Sequence, residues 1–316
     1  MKKKLLKTLI ILVALFAGVE IAPYAIDEFG SSTNSANSSE LASLEYDGEV
    51  AIEVNNNEPD FTEEEIATAK EAYNGYENYS ELDSLGRCGV AEACVCEETR
   101  PSYGEKRGDI SRVHPSGWQK INFWSRCHLI AWQFSAENDN EKNLITGTSY
   151  LNLSGMVPYE NIIAEYLNGY DDRHVLYRVE PIYKGSELVA RGVEMQALSL
   201  EDDGEAVSYH VYIFNYQPGS IIDYSDGTVE DDPEHRTVVT LKDKTAKFTG
   251  DEIEIDEAEV KGSQGKVKYI YYYDEETHNK LDGPPTNRGT YYVRAVVSGD
   301  NWYPTAVSEV AELRII

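Results

Sequence analysis

The sequence predicts an α+β domain followed by a small all-β domain. Three observations carry that expectation. Between residues 81 and 227, strand patterns surround one clear helix in the order strand, helix, strands. At 228–238 the stretch TVEDDPEHRTV is acidic and contains a proline, and the composition then changes. From 239 to 316 only strand signals remain, separated by turn clusters such as LDGPPTNRGT, the rhythm of a small β-sandwich.

Taken in order, residues 1–25 read as a signal peptide or membrane anchor. Lys2, Lys3, Lys4 and Lys7 precede the apolar run TLIILVALFAGV, which is shorter than the roughly 20 residues of a spanning helix. Residues 26–58 are Ser/Asn-rich and acidic, and read as a flexible spacer, with EVAIEV (49–54) as a short strand. The α+β domain is placed at 59–228. Its first helix lies in DFTEEEIATAKEAYNGY, where Thr62 and Glu65 form a capping box and Gly75 marks the stop. A second helix, PYENIIAEYLNG (158–169), starts at Pro158 and ends at Gly169, with Ile162, Ile163, Tyr166 and Leu167 as its apolar stripe. Strands follow in HVLYRVEPIY (174–183), VARGVEMQALSL (189–200) and VSYHVYIFNY (207–216). In the sandwich, placed at 238–316, KVKYIYYY and TYYVRAVV alternate as half-buried strands do.

With 41% hydrophobic and 11% aromatic residues the chain is that of a folded protein. Its formal charge of −28 argues against a general affinity for phosphate backbones. Locally the balance reverses. Between Arg100 and Gln133 stand Arg100, Lys106, Arg107, Arg112, Lys120 and Arg126 against Glu105 and Asp109 alone. Local potential governs encounter over about one Debye length, roughly 8 Å at physiological salt, so this basic island admits an anionic substrate. The four cysteines, Cys88, Cys94, Cys96 and Cys127, are read as disulfides in one of three connectivities or as buried free thiols, and both readings stay open. Cys94-x-Cys96 lacks the usual spacing of a zinc site.

The island runs into SRCHLIAWQF (125–134). Cys127 and His128 are neighbours on a strand, so their side chains point to opposite faces and do not form a nucleophile–base pair. His128 is read alone, as an imidazole able to take a proton from water near neutral pH. Downstream, ENDNEKNLITGTSYLNLSGMVPYENII supplies Asn143, Asn152, Glu160 and Asn161. Amide and carboxylate oxygens suit a hard cation that keeps most of its waters, as Mg²⁺ does.

In order, SRCHLIAWQF, NEKNLITGTSYLN, VPYENIIAEYL and HVLYRVEPIY resemble the DNA/RNA non-specific endonuclease family, in particular the DNA-entry (competence) nucleases. The resemblance runs from about residue 82 to 227, nearly half the chain. It implies a ββα-metal, or His-Me finger, core with a central mixed or antiparallel sheet. It implies His128 as general base, Asn143 as an active-site amide, Arg126 as a phosphate contact, Asn152 as the metal ligand and Glu160 as holder of the metal's water shell. The implied reaction is Mg²⁺-dependent hydrolysis of DNA, and of RNA, leaving 5′-phosphate and 3′-hydroxyl ends, with Mn²⁺ able to substitute. Two positions depart from the Asp-Arg-Gly-His signature of the family: Ser125 stands for the Asp and Cys127 for the Gly. Pro158 is also expected to begin a new helix, which separates Glu160 from Asn152.

Residues 239–316 resemble the bacterial Ig-like repeats of surface proteins, which implies a spacer or a module that contacts cell-wall glycans. The expectation is a secreted, or N-terminally anchored, nuclease with an Ig-like appendage. The competing expectation is a surface adhesion protein whose nuclease-like domain is inactive, for which Ser125 and the acidity speak.

Overall fold

The computed structural model describes residues 38–170 and 172–316. The expected leader and residues 26–37 of the expected spacer lie outside the described residues. The chain divides into two compact units, one comprising residues up to Tyr216 with Asp223–Thr228, the other Gln217–Ile222 with Val229–Ile316.

In chain order the first unit holds helix α1 (Ser38–Leu41), strand β1 (Ala51–Glu53), helix α2 (Glu63–Glu71) and strands β2 (Tyr76–Tyr79), β3 (Ala91–Val95) and β4 (Trp124–His128). Helix α3 (Trp132–Ser135), β5 (Leu144–Thr148), helix α4 (Val157–Leu167) and strands β6 (Val175–Ile182), β7 (Gly192–Ser199) and β8 (Ser208–Phe214) follow. Six strands make one sheet in the order β1-β8-β7-β6-β3-β2, antiparallel throughout. Among the described residues, strands β4 and β5 pair only with each other.

Alternation along the strands builds the core. Val175, Tyr177 and Val179 of β6, Val193, Met195 and Ala197 of β7, and Tyr209, Val211 and Ile213 of β8 share one face. They pack against Ile163, Tyr166 and Leu167 of α4 and Cys127 and Ile145 of the β4–β5 hairpin. On the other face Cys94, Leu176 and Leu200 pack with Phe61 and with Ala69 of α2. The capping box of α2 is formed as expected, with Glu65 N–H donating to Thr62 Oγ1 and Thr62 N–H to Glu65 Oε2. The helix ends at Glu71, before Gly75, which takes φ +65°.

Two expectations are corrected. Residues 38–58 are not a free spacer: β1 pairs with β8, and Leu41, Ala42 and Val54 are buried with Ile182, Tyr212 and Phe214. A few apolar side chains anchor a segment whose average composition is polar. Nor does Pro158 begin a separate helix. A π-turn, Leu151–Met156, leads straight into α4, and Val157 N–H donates to the Asn152 carbonyl five residues back. Pro158 occupies the first turn of α4, where its missing N–H costs little.

The chain next forms a hairpin of β9 (Ser220–Asp223) and β10 (Thr228–Asp231). In the second unit β11 (Val238–Thr240), β12 (Lys244–Ala246), β13 (Glu259–Lys261) and β14 (Val267–Tyr272) precede β15 (Gly289–Val297), β16 (Ala306–Val307) and β17 (Ala311–Ile315). Strands β12, β17, β15 and β14 form a sheet joined by β16, and β11 pairs with β13. One sheet face buries Tyr271, Tyr291, Val293 and Leu313 against Ile253 and Ile255. All four cysteines, which lie in the first unit, are buried free thiols. Among the described residues, no helix is long and apolar enough to cross a membrane.

Candidate active site

The β4–β5 hairpin and the helical run behind it position the candidate residues. The ladder runs from Trp124↔Thr148 to His128↔Leu144. Cys127 points into the core, where Gly147 lies so close that a Cβ there would strike its Sγ. Burial pushes the Cys127 thiol well above its ordinary range, which removes it as a nucleophile. The alternation that buries Cys127 sends Arg126 and His128 to the opposite side.

His128 is only 6% exposed. Its Nε2 lies 2.9 Å from the Asn138 carbonyl and its Nδ1 2.8 Å from Arg107 Nη2. A carbonyl can only accept and a guanidinium can only donate, so the proton sits on Nε2 and Nδ1 presents a lone pair. Burial first, then the Arg107 charge, lowers the imidazole's pKa to about 4. The ring is therefore neutral at physiological pH.

Arg107 was counted in the basic island but not singled out; no spacing rule links it to a histidine 21 positions on. The loop that carries it is docked by Gly108 N–H, which donates to Asn138 Oδ1 at 2.9 Å, and by the Arg112–Asp139 ion pair. A side chain on Gly108 would collide with the Asn138 amide, at 2.6 Å from Nδ2. One asparagine thus holds the loop with its side chain and the imidazole with its carbonyl.

Glu160, on the first turn of α4, is buried, and burial pushes its carboxyl up to about 7 while the Arg107 charge opposes the shift. The fields of both Glu160 and Arg107 also reach the Cys127 thiol beneath. His128, Arg107 and Glu160 thus share one electrostatic neighbourhood. Asn152 is half-buried on the same helical run, eight residues before Glu160. Neither the Asn152 amide nor the Glu160 carboxyl makes a side-chain hydrogen bond among the described residues. Among those residues, no group of three or more His, Cys, Asp or Glu is arranged to hold a metal ion. Asn152 and Glu160 together offer one amide oxygen and one carboxyl group, a sparse all-oxygen set that fits a water-rich hard cation and does not fit a zinc cage.

Two further expected residues make backbone contacts beside this site. Asn143 is fully buried, and its amide grips Ile130 at both ends, Oδ1 accepting from N–H at 2.8 Å and Nδ2 donating to C=O at 3.0 Å. It shapes the turn after His128 and has no face open to a substrate. Arg126 donates from Nε to the Val113 carbonyl and from Nη2 to the Ser111 carbonyl, with its guanidinium 4.0 Å from the Trp118 ring centroid. These contacts brace the 111–118 loop and differ from the expected phosphate contact. Ser125 Oγ lies 3.4 Å from Ser149 Oγ.

Residues 66–200 match the family model described as DNA/RNA non-specific endonuclease. A curated deoxyribonuclease from Streptococcus dysgalactiae subsp. equisimilis is 33% identical over 138 residues, 42% of this chain and 40% of that protein. The matched segment therefore spans well under half of that relative's length. Among solved structures, NucA from Streptococcus agalactiae with magnesium ion bound superposes with a TM-score of 0.50 at 22% identity, over 59% of this chain and 88% of its own. NucA with no metal bound gives 0.48 at 22% identity, over 59% and 89%.

Proposed function

We propose, from the match of residues 66–200 to the DNA/RNA non-specific endonuclease family, that the chain is an exported, Mg²⁺-dependent endonuclease that hydrolyses phosphodiester bonds of DNA, with RNA as a second substrate. The strongest support is the tautomer of His128: a neutral imidazole with Nε2–H tied to Asn138 O and the Nδ1 lone pair facing an exposed guanidinium. In this reading an incoming phosphodiester draws Arg107 onto a non-bridging oxygen. The Nδ1 lone pair then takes the proton of an attacking water, and the bond to the Asn138 carbonyl stabilises the imidazolium that results. Asn152 and Glu160 would hold Mg²⁺, or Mn²⁺ in its place, in a ββα-metal unit built from β4, β5 and the helical run. The ion supplies Lewis-acid stabilisation of charge on the phosphate and the leaving oxygen. NucA, which shares the fold, binds magnesium in its crystal structure, in keeping with this assignment. The products would carry 5′-phosphate and 3′-hydroxyl ends. For the C-terminal unit we propose an Ig-like spacer that contacts cell-wall glycans.

The test is cleavage of plasmid DNA. His128→Ala is expected to lower turnover by roughly 10²–10⁴, the span of a lost general base, with the fold intact. Chelation of divalent metal is expected to abolish cleavage and added Mg²⁺ to restore it. A folded protein that cuts DNA equally well with chelator, or without His128, is not the enzyme proposed. One that never cuts is the adhesion protein with an inactive domain, the reading that Ser125 favours.

A further inference from the structure

The helical run from Ser149 to Leu167 contains one irregularity, the π-turn at Leu151–Met156. A π-turn closes on the residue five back and so takes up one residue more than an α-turn; such bulges gather at functional sites. This one contains Asn152 and closes before Glu160, the two oxygen donors assigned to the metal. On a regular α-helix, eight residues turn through about 800°, leaving Asn152 and Glu160 about 80° apart around the axis. Taking one residue out of the count brings the separation down to about 20°, two turns apart on one line.

The surroundings show how the wide turn is held. Gly155 lies on the sheet side, where a Cβ would strike Ile213 Cγ2, so the absence of a side chain lets the run sit close to β8. Met156 and Leu151 are fully buried on either side. Leu153 and Ser154 are exposed, Leu153 at 63%. The extra residue therefore projects to solvent while the flanks stay fixed. Val157 N–H reaches back to the Asn152 carbonyl and closes the wide turn on the very residue whose side chain is to face the metal.

We infer that the π-turn at Leu151–Met156 is the positioning device of the metal site: it rotates the Asn152 amide into line with the Glu160 carboxylate so that both face one divalent cation. The inference rests on the metal-binding reading above and names what makes that site possible in a stretch with so few ligands. Leu153 is the residue whose removal would return the run to α-geometry without touching a ligand or a core side chain.

The experiment is Mg²⁺ titration by calorimetry of the full chain in four forms: wild type, Asn152→Ala, Leu153→Ala and the chain with Leu153 deleted. The deletion is expected to weaken Mg²⁺ binding roughly 10- to 100-fold, the span found when the support of a metal ligand is lost, while Leu153→Ala binds as wild type does. Wild-type affinity in the deleted chain overturns the inference. If the wild type binds no Mg²⁺, or Asn152→Ala binds as tightly as wild type, the metal-site reading itself fails. Should the deleted chain not fold, Mn²⁺ added to labelled wild-type protein decides the matter. Paramagnetic broadening of both the Asn152 side-chain amide and the Glu160 carboxyl resonances supports the alignment, and broadening of only one overturns it.

Discussion

The imidazole of His128 is shut away from water with a guanidinium against it, and both effects favour its neutral form. With a folded pKa of about 4 against about 6.5 for a free histidine, the ring stays unprotonated well below neutrality. The acid limb of kcat/KM belonging to this group is therefore expected near pH 4, with no inflection at 6.5; an inflection at 6.5 means the ring is exposed in solution. Stability carries the same sign. Between pH 6.5 and 4 the unfolded chain binds a proton that the folded one refuses, so this contribution is complete above pH 6.5 and is lost as pH falls through that window. At most about 3 kcal/mol is involved. Urea unfolding of wild type and His128→Gln at pH 7 and pH 4.5 measures it by difference: the wild type loses more on acidification. Asn143→Ala strands the N–H and C=O of Ile130 in the core and is expected to cost about 2–4 kcal/mol, read in the same unfolding assay. His128 stands out in the sequence because SRCHLIAWQF resembles a known motif. Arg107 was not, because its partnership with His128 arises only when the loop after Thr99 folds back over β4. Asn143 and Arg126 also stand out in the motif, and their contacts with the backbone of Ile130 and of Ser111 and Val113 are visible only in the fold.

At the scale of elements, periodicity served well wherever one face is buried. The strands β6, β7 and β8 and the capped helix α2 fall where alternation and capping chemistry put them. The join between β5 and α4 was missed, because proline and glycine in LNLSGMVP read as breaks. In the fold Gly155 serves close packing and Pro158 a first-turn position inside one continuous run. In 38–58 the strand expected in EVAIEV forms as β1, but the packing of Leu41 and Ala42 is not legible, because the serines and asparagines around them outvote two buried apolar side chains. Leu41→Ala tests the difference directly. A tethering spacer would not notice the change, whereas a packed strap is expected to lose about 2–4 kcal/mol, seen as a lower midpoint in urea. Truncation of everything before β1 should have an effect of the same sign.

For the whole molecule, the chain forms two units and passes for the last time into the second at Val229. The passage is not a simple linker. Asp223–Thr228 returns to the first unit, where the Tyr224 carbonyl accepts from the N–H groups of Leu188 and Val189 and the Gly227 carbonyl accepts from Trp124 Nε1. A chain ending at residue 216 is therefore expected to unfold at lower urea than one ending at 228, and equal midpoints would deny that the returning segment matters. The buried thiols give a second global readout. In native protein none of the four should react promptly with a disulfide reagent, and all four should react once it is unfolded. Prompt reaction of any of them under native conditions contradicts the burial described.

That looped-back passage also bears on how such a protein is assembled over generations. A recombination event that lifted off the C-terminal module at the composition break would leave the first unit whole, because the six residues Asp223–Thr228 that fasten Trp124, Leu188 and Val189 stay behind. The module itself would depart without Gln217–Ile222, which belong to it. Loss of the appendage is thus an easy step for this architecture, and transplanting it intact onto a new host is a hard one.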